Sequence, residues 1–297
     1  MKRIIIGLFI FMSFMVMHEA SADVGKMLAT REEIRERGLT KEIAELIHFV
    51  EFYNTEKPED DGSTIIGVLE HTFDFSKNND GSVMAYVYAG GAYSIDGESG
   101  VYRSLDIYFD THMSLDKNSS SLFQGFSKLI EIYGLEFVDT SLVENMSGMF
   151  SGCINLINLD LGHFNTSKVT NMSQMFSGCK SLKNLNISSF NTSRSMGMAS
   201  MFYDCESLTS LDLKHFNTEN VLDMSKMFSN TVNLENLNLS EFKTNKVTDM
   251  SFMFSNTTKL TKLDLNSFDT SNVEDMSYMF NSANKDNNLI ELLIGNM

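Results

Sequence analysis

The sequence predicts a repeat solenoid in which each coil of 26 residues contains a short strand and a helical segment. Three observations predict this fold. The dipeptide Met-Phe recurs every 26 residues, from Met149-Phe150 to Met279-Phe280. Leucines alternate with polar residues in the first half of each unit, and valine and methionine recur at helical spacing in the second half. A unit this small cannot bury its apolar side alone, so we expect consecutive units to stack.

The leucine pairs define the strand of each unit. Asp160 separates Leu159 from Leu161, and this alternation predicts that the leucines face the core while Asp160 faces outward. The outward positions recur as a polar stripe, which consists of Asn158, Asp160, Asn184, Asn186, Asp212, Asn236, Asn238 and Asp264. We interpret this stripe as a ligand-contact surface. The alternative is ordinary solvation, with asparagine ladders between the coils.

The second half of the unit predicts a short helix. Val169, Met172, Met175 and Phe176 have the spacing of one helical face. Three aspartates that precede the first Met of this segment are expected to cap such helices: Asp223, Asp249 and Asp275. Ser195 replaces the valine of this pattern and Gly197 follows it, so the third coil is expected to be locally loose.

A small-residue column follows each Met-Phe pair. Cys153, Cys179 and Cys205 occupy it first, and Thr231 and Thr257 occupy it in later coils. Because threonine substitutes for cysteine here, we interpret the position as a small packed side chain. The alternative is a disulfide between neighbouring coils or an exposed reactive thiol, since adjacent strands lie only about 5 Å apart.

The N-terminal residues are typical of a secretory signal peptide, which we assign to 1–22. Lys2 and Arg3 precede an apolar run of about 14 residues, and Ala20-Ser21-Ala22 has the small residues of a cleavage site. This run is too short for a membrane-crossing helix, which needs about 20 residues, and no later segment qualifies. We therefore expect a secreted or extracellular protein. Association of this protein with a cell surface is one form of this interpretation.

Three segments follow the signal peptide. Residues 23–61 are expected to form a helical and linker segment, since Ile43, Leu46, Ile47 and Val50 have helical spacing, and 57–62 reads as a hinge. Residues 62–121 are expected to form a small β-rich module that caps the array. The solenoid is assigned to 122–297. Its last residues, Leu289, Leu292 and Ile294, return to the leucine columns and would leave an apolar coil without a cap.

The charge restricts the classes of partner. The net charge is −16, and removal of the signal peptide takes away two basic residues and one acidic residue. Such a surface repels the phosphates of nucleic acids and favours basic partners. Nucleic-acid binding is therefore not expected.

The repeat F-N-T-S-x-V-x-x-M-S-x-M-F resembles that of the BspA-like leucine-rich-repeat surface proteins. The resemblance covers about 122–297, and the segment G-S-V-M-A-Y-V at 81–87 resembles the segment before such repeats. It implies a leucine-rich-repeat-like solenoid whose strands line the concave face. It also implies a surface protein, often an adhesin for matrix or plasma proteins. This family has no fixed binding motif to carry over.

No catalytic, cofactor or metal motif stands out in the sequence. The histidines form no H-x-x-x-H or H-E-x-x-H pattern, and His163 and His215 are expected to be exposed without special chemistry. The segment Asn78–Gly81 reads as a turn because it lacks the downstream Glu of a calcium loop. We expect a protein that binds an extracellular or host protein, and we expect the contact to involve a basic patch on that partner. The alternatives are self-association into a surface scaffold and, more remotely, a hydrolase site in 63–121 with Asp96, Glu98 and Asp106.

Overall fold

The structure, a computed structural model, describes residues 26–27, 31–36, 39–54, 68–76, 83–95, 98–109, 113–282 and 291–294. Over these residues it has fourteen β-strands, mostly in small sheets, and only short helices. The predicted signal peptide, the hinge at 57–62 and the turn at 78–81 lie outside the described residues.

Most helices and strands of the N-terminal part come before the first repeat, and the last of them lie within it. The helices are α1 (Arg31–Glu36), α2 (Lys41–Ala44) and a 3-10 turn (Leu135–Phe137). The strands are β1 (Lys26–Met27), β2 (Phe49–Asn54), β3 (Val68–Asp74), β4 (Val83–Ile95), β5 (Glu98–Phe109), β6 (Met113–Ser114), β7 (Glu131–Tyr133) and β8 (Val138–Asp139). The remaining strands belong to the repeats and are β9 (Asn158–Asp160), β10 (Asn184–Asn186), β11 (Ser210–Asp212), β12 (Asn236–Asn238), β13 (Lys262–Leu265) and β14 (Glu291–Ile294).

The predicted N-terminal helix is shorter than expected. The Thr40 hydroxyl accepts a hydrogen bond from the Ile43 amide at 3.5 Å and caps α2, which ends at Ala44. Ile47 and Val50 are fully buried, but Val50 lies in strand β2 and not in a helix. The helix prediction is wrong for the residues after Ile47. Val50 and Phe52 alternate along a strand and are both buried, and this burial in the sheet is more favourable than continuation of the helix.

A five-stranded sheet in the order β3-β4-β5-β2-β7 forms the N-terminal part. Strands β3, β4 and β5 are antiparallel neighbours, whereas β2 runs parallel to both β5 and β7. The described residues within 62–121 lie largely in strands of this sheet. However, β2 comes from before the predicted boundary at 62 and β7 from after the boundary at 121, so both boundaries cut through one sheet.

The repeats stack in parallel with a spacing of 26 residues. Leu185 pairs with Leu159 and Leu237 pairs with Leu211. A second ladder of bridges joins one residue of each unit to the equivalent residue of the next: Asn118, Asn145, Asn171, Gly197, Asp223, Asp249 and Asp275. The first step of this ladder is one residue longer than the others, as the spacing of Phe123 and Phe150 predicts. The predicted stacking in register is therefore confirmed over the described repeats.

Columns of identical side chains form the core of the stack. The phenylalanine rings of the Leu122-Phe123 pair and of the six Met-Phe pairs stack one above another with centroids 5.4–6.0 Å apart: Phe123, Phe150, Phe176, Phe202, Phe228, Phe254 and Phe280. The methionines beside them, such as Met175 and Met201, are fully buried. These columns account for the methionine-rich composition, because each unit contributes the same side chains to one continuous core.

The predicted helical segments are absent from the described repeats, where the same residues form turns. Six described units each have two residues with left-handed backbone in this segment, for example Gln174 at φ 60° and Gly178 at φ 75°. A left-handed residue interrupts the hydrogen bonding of a right-handed helix. The amides bond to the next coil instead, as the Phe150 amide does to the Met175 carbonyl at 2.9 Å. The periodic valine and methionine spacing therefore reflects buried turns.

A column of buried threonines joins each coil to the next one. The Thr218 hydroxyl donates to the Lys243 carbonyl at 2.9 Å and accepts from the Lys243 amide at 2.8 Å. The same pair of bonds recurs at Thr140, Thr166, Thr192 and Thr244, each at most 1% exposed. One side chain thus satisfies both the amide and the carbonyl group of one residue in the neighbouring coil.

The third coil is not loose. Ser195 is fully buried, and its hydroxyl donates to the Gly197 carbonyl at 3.4 Å. Gly197 is bridged to Asn171 on one side and to Asp223 on the other. A Cβ at Gly197 would lie 2.7 Å from the Ser173 hydroxyl oxygen, which explains the glycine as a close approach between coils.

The N-terminal sheet continues into the strand column of the repeats. The Ile130 amide donates to the His48 carbonyl at 2.7 Å, and the Ile157 amide donates to the Ile130 carbonyl at 3.2 Å. At the other end, β14 pairs with β13, with Leu292 opposite Leu263 and Ile294 opposite Leu265. The predicted return to the leucine columns is confirmed for these residues, whereas Leu289 lies outside the described part.

Candidate binding surface

The predicted polar stripe lies on the outer side of strands β9 to β13, and we call it the polar row. Its members are Asn158, Asp160, Asn184, Asn186, Asp212, Asn236, Asn238 and Asp264. Asn158 is half-buried and the others are exposed. Leu159, Leu211 and Leu263, on the other side of the same strands, are at most 7% exposed. The alternation in the sequence therefore predicts correctly which residues of each strand face outward and which face the core.

Hydrogen bonds within the polar row run between neighbouring coils. The Asn184 amide group donates to Asn158 Oδ1 at 2.6 Å, and that of Asn186 donates to Asp160 Oδ1 at 2.7 Å. The Asn238 group donates to Asp212 Oδ1 at 3.5 Å. These are the asparagine ladders of the alternative interpretation. They fix side chains that remain exposed, so ladder and contact surface are compatible.

The aspartates of the polar row also accept backbone hydrogen bonds. Asp160 Oδ1 accepts from the Gly162 amide at 2.8 Å, and Asp264 Oδ1 accepts from the Asn266 amide at 3.0 Å. At Asp212 the Lys214 amide at 3.2 Å, together with the Lys214 ammonium group, lowers the pKa of the carboxyl group. Asn186 and Asn238 accept in the same way, so asparagine can replace aspartate in this geometry.

Aspartate and asparagine alternate along the centre of the polar row, in the order Asp160, Asn186, Asp212, Asn238 and Asp264. Carboxylates therefore occur on every second coil. Because neighbouring strands lie about 4.8 Å apart, the carboxylates are separated by about 10 Å. A partner would meet a regular series of negative charges with amides between them.

The aspartates expected to cap helices have another role. Asp223 Oδ1 accepts from the Ser225 amide at 2.8 Å, and Asp249 Oδ1 from the Ser251 amide at 2.7 Å. Asp275 makes the same bond to Ser277, which lowers the pKa of its carboxyl group. No helix follows these residues, so the capping prediction is wrong: they fix turns at the second ladder.

The cysteine column consists of free buried thiols in the structure. Cys179 Sγ donates to the Phe150 carbonyl at 3.2 Å, and Cys205 Sγ donates to the Phe176 carbonyl at 3.0 Å. Burial raises the pKa of the Cys179 thiol to about 12. The arrangement agrees with the small packed side chain and not with the alternative of an exposed reactive thiol.

Two of the residues named for a hydrolytic site, Glu98 and Asp106, are not brought together. Asp96 lies outside the described residues. Glu98 begins β5 and Asp106 is eight positions further along the same strand, a distance of about 27 Å at 3.4 Å per residue. Across the described residues, no three His, Cys, Asp or Glu residues converge as a metal site would require. His163 and His215 are exposed, and the ring of His215 lies 3.0 Å from the Ile187 carbonyl.

A second polar surface, which the sequence did not predict, lies on the N-terminal sheet. Tyr86 pairs with Asp106, Asp106 with Glu51, and Glu51 with Tyr133. We call these four residues the tyrosine–carboxylate row. The alternation of outward residues in β5, from Tyr102 to Tyr108, was visible in the sequence, but the parallel pairing of β2 with β7 was not.

Comparison with known proteins places the chain in a family. No curated protein and no solved structure matches it significantly. Within the described part, no helix has the length and apolar character needed to cross a membrane. A family described as "Mycoplasma protein of unknown function, DUF285" matches residues 117–211 and again 208–293. The two adjacent matches agree with a repeat protein and together cover more than half of the sequence. The chain belongs to the DUF285 family.

Proposed function

We propose that this chain is an exported, non-catalytic protein of the leucine-rich-repeat solenoid class that binds another protein, as BspA-like surface proteins do. The signal-peptide pattern before Asp23 supports export. The resemblance of the repeats supports the solenoid class with the polar row on its concave side. The partner is an extracellular or host protein with a basic patch.

One observation carries the proposal, namely the exposed alternation of carboxylate and amide groups along the polar row. Five consecutive coils present it on the same side, from Asp160 to Asp264. Hydrogen bonds to neighbouring coils and to backbone amides hold these side chains in place. A fixed series of charges loses little side-chain entropy when it binds, which favours association with a complementary basic surface.

The experiment compares two triple variants of the purified chain on immobilised fibrinogen and fibronectin. The first changes Asp160, Asp212 and Asp264 to asparagine. The second, a matched control, makes the same change at Asp223, Asp249 and Asp275. Both variants lose three carboxylates, and in both cases other coils carry asparagine in the same column with the same backbone bond.

We expect saturable binding that the first variant weakens about tenfold, since three exposed charge contacts of about 0.5 kcal/mol each sum to that ratio. The control should bind within about twofold of the unmodified chain. Equal losses in both variants would show a general effect of net charge and would refute a role of the polar row. Absence of saturable binding, with self-association in light scattering, would favour the scaffold alternative.

A further inference from the structure

Exposed apolar side chains occur together where the N-terminal sheet meets the repeats. Ile154 and Ile157 are 42% and 38% exposed, and they lie in the four residues directly before strand β9. Tyr133, the last residue of β7, is 45% exposed. We call these three residues the apolar patch. Large apolar side chains that are grouped on a surface are typical of sites that contact another molecule.

The two isoleucine positions of the apolar patch are polar in the coils that follow. The Lys183 amide donates to the Ile157 carbonyl at 2.9 Å, so these two residues occupy the same position in neighbouring coils. Later coils continue this position with Thr209, Glu235 and Thr261. Ile154 is followed in the next two coils by Lys180 and Glu206. The stacking of the coils therefore does not explain an isoleucine at either position.

The apolar patch adjoins the polar row. Ile157 directly precedes Asn158, the first residue of the row. Strand β7 contacts β9, and Tyr133 is the third residue of β7 as Asp160 is the third residue of β9. One strand spacing of about 4.8 Å therefore separates these two positions. A molecule that lies along the polar row meets the apolar patch at the end nearest the N-terminal sheet.

Two side chains that border the apolar patch are held by neighbouring residues. Lys180 Nζ lies 2.6 Å from Glu206 Oε1 and 3.1 Å from Asp204 Oδ2. Glu131 Oε2 accepts a hydrogen bond from the Tyr133 hydroxyl at 2.5 Å, which fixes the ring of the tyrosine. These polar groups do not fold over the patch, and its apolar surface remains exposed between them.

The polar row needs apolar contacts in order to hold a partner. Ion pairs between exposed groups contribute little to affinity, whereas association has a large cost in translational and rotational freedom. In protein interfaces a few well-buried side chains, tyrosine among them, contribute most of the affinity. The surrounding charges give orientation and a fast encounter. The apolar patch and the polar row together supply these two kinds of contact.

We propose that the apolar patch is the apolar contact site of the binding surface and takes an apolar side chain of the partner protein beside its basic segment. The inference rests on the proposed protein-binding function and specifies the chemistry of the partner. The carboxylates of the polar row are complementary to the basic residues, and the continuity of row and patch places the apolar residue at one end of that segment. The basic residues recur at about 10 Å, as the carboxylates do.

The test titrates the full chain with three peptides. The first is Phe-Leu-Gly-Arg-Ser-Gly-Arg-Ser-Gly-Arg, in which the arginines are about 10 Å apart when the peptide is extended. The second has two serines in place of the apolar pair, and the third has glutamate in place of each arginine. Calorimetry gives the dissociation constants. We expect the first peptide to bind about tenfold more tightly than the second, because its apolar side chains leave water, and the third not to bind.

A double variant removes apolar side chains from the patch, and a matched double variant controls for it. Ile154→Ser with Ile157→Ser should weaken binding of the first peptide about tenfold and leave that of the second unchanged. Met196→Ser with Leu222→Ser removes side chains that are 49% and 46% exposed beside the second ladder, and should bind both peptides within about twofold of the unmodified chain. The urea midpoint of each variant checks its fold, and Tyr133→Ser replaces the patch variant if that variant unfolds.

Equal binding of the two arginine peptides by the unmodified chain would overturn the inference, as would losses of equal size in the two double variants. A dimer in light scattering that the patch variant abolishes would assign the apolar patch to a second copy of the chain, and would also overturn it.

The triple variant of the polar row separates this outcome from failure of the proposed function. If the triple variant loses fibrinogen binding while the patch variant keeps it, the apolar patch has no part in binding and the proposed function stands. If only the patch variant loses peptide and fibrinogen binding, the apolar patch is the contact site and the polar row is not.

Discussion

Replacement of Thr218 by valine tests the threonine column that joins the coils. Valine has the shape of threonine, so the packing of this buried position is kept. The change removes the hydroxyl that accepts from the Lys243 amide at 2.8 Å and donates to the Lys243 carbonyl at 2.9 Å. The amide and the carbonyl group of Lys243, which belong to two consecutive peptide bonds, thereby lose their partner.

The expected loss of stability follows from these two groups. A buried polar group without a partner costs about 1–3 kcal/mol. Lys243 is an exposed residue, so water reaches part of these two backbone groups and lowers the cost. We expect Thr218→Val to lower the free energy of unfolding by about 2–4 kcal/mol. Thr218→Ser keeps the hydroxyl and loses one methyl group, which costs about 1 kcal/mol.

Urea unfolding followed by circular dichroism measures these differences. The transition midpoint and its slope are both compared, because stacked repeats can unfold in more than one step. Thr248→Val is the matched control, since the Thr248 hydroxyl makes one bond to the Leu222 carbonyl at an exposed site. A valine variant at Thr218 that is as stable as the serine variant would refute the argument.

Three further predictions concern the core, the thiols and pH. Leu213→Ala, at a fully buried position, should cost about 2–5 kcal/mol in urea unfolding, while Leu222→Ala, 46% exposed, should cost less than about 1 kcal/mol; equal losses would contradict the buried column. Cys179, whose thiol pKa is raised to about 12 by burial, should not react with a disulfide reagent until the chain unfolds; rapid reaction of the native chain would contradict its burial. Burial, followed by the charges of Lys128 and Arg103, lowers the pKa of His48, so the unfolded chain takes up this proton first as the pH falls below about 6.5. The urea midpoint should therefore fall in that range, and less so in His48→Gln; an equal fall in both would refute this assignment.

The repeat spacing was the most informative feature of the sequence. Identical residues 26 positions apart can become neighbours only if the coils stack in parallel, and Leu159 and Leu185 are paired as that reasoning requires. The side of each strand followed from simple alternation, which placed Asp160 and Asn186 outward. Local pattern was sufficient here because each contact repeats the previous one.

The helical segments were wrongly predicted because spacing alone does not distinguish a helix from a buried turn. The sequence did contain the relevant signal. One of the two left-handed columns holds Gly152, Gly178, Asp204, Asn230 and Asn256, residue types that accept positive φ most readily. The other column holds larger residues such as Phe252, which local propensity does not predict in this conformation.

The tyrosine–carboxylate row could not be predicted because it depends on contacts between distant segments. Glu51 meets Asp106 and Tyr133 only after β2 enters the sheet between β5 and β7. Since the helical spacing around Ile47 favoured a helix, the strand that joins the module to the repeats was missed. Its register is set by the burial of Val50 and not by a local motif.

Because aspartate and asparagine alternate along the polar row, its charge pattern repeats every two coils, whereas the backbone repeats every coil. Asp160 and Asp212 are 52 residues apart, and the amide of Asn186 donates to the first of them. Deletion of the coil that carries Asn186 or Asn238 would bring two carboxylates side by side at about 5 Å, without the intervening donor. Deletion or duplication of two coils would keep every charge beside an amide. The length of this protein is therefore free to change in pairs of coils, at little electrostatic cost.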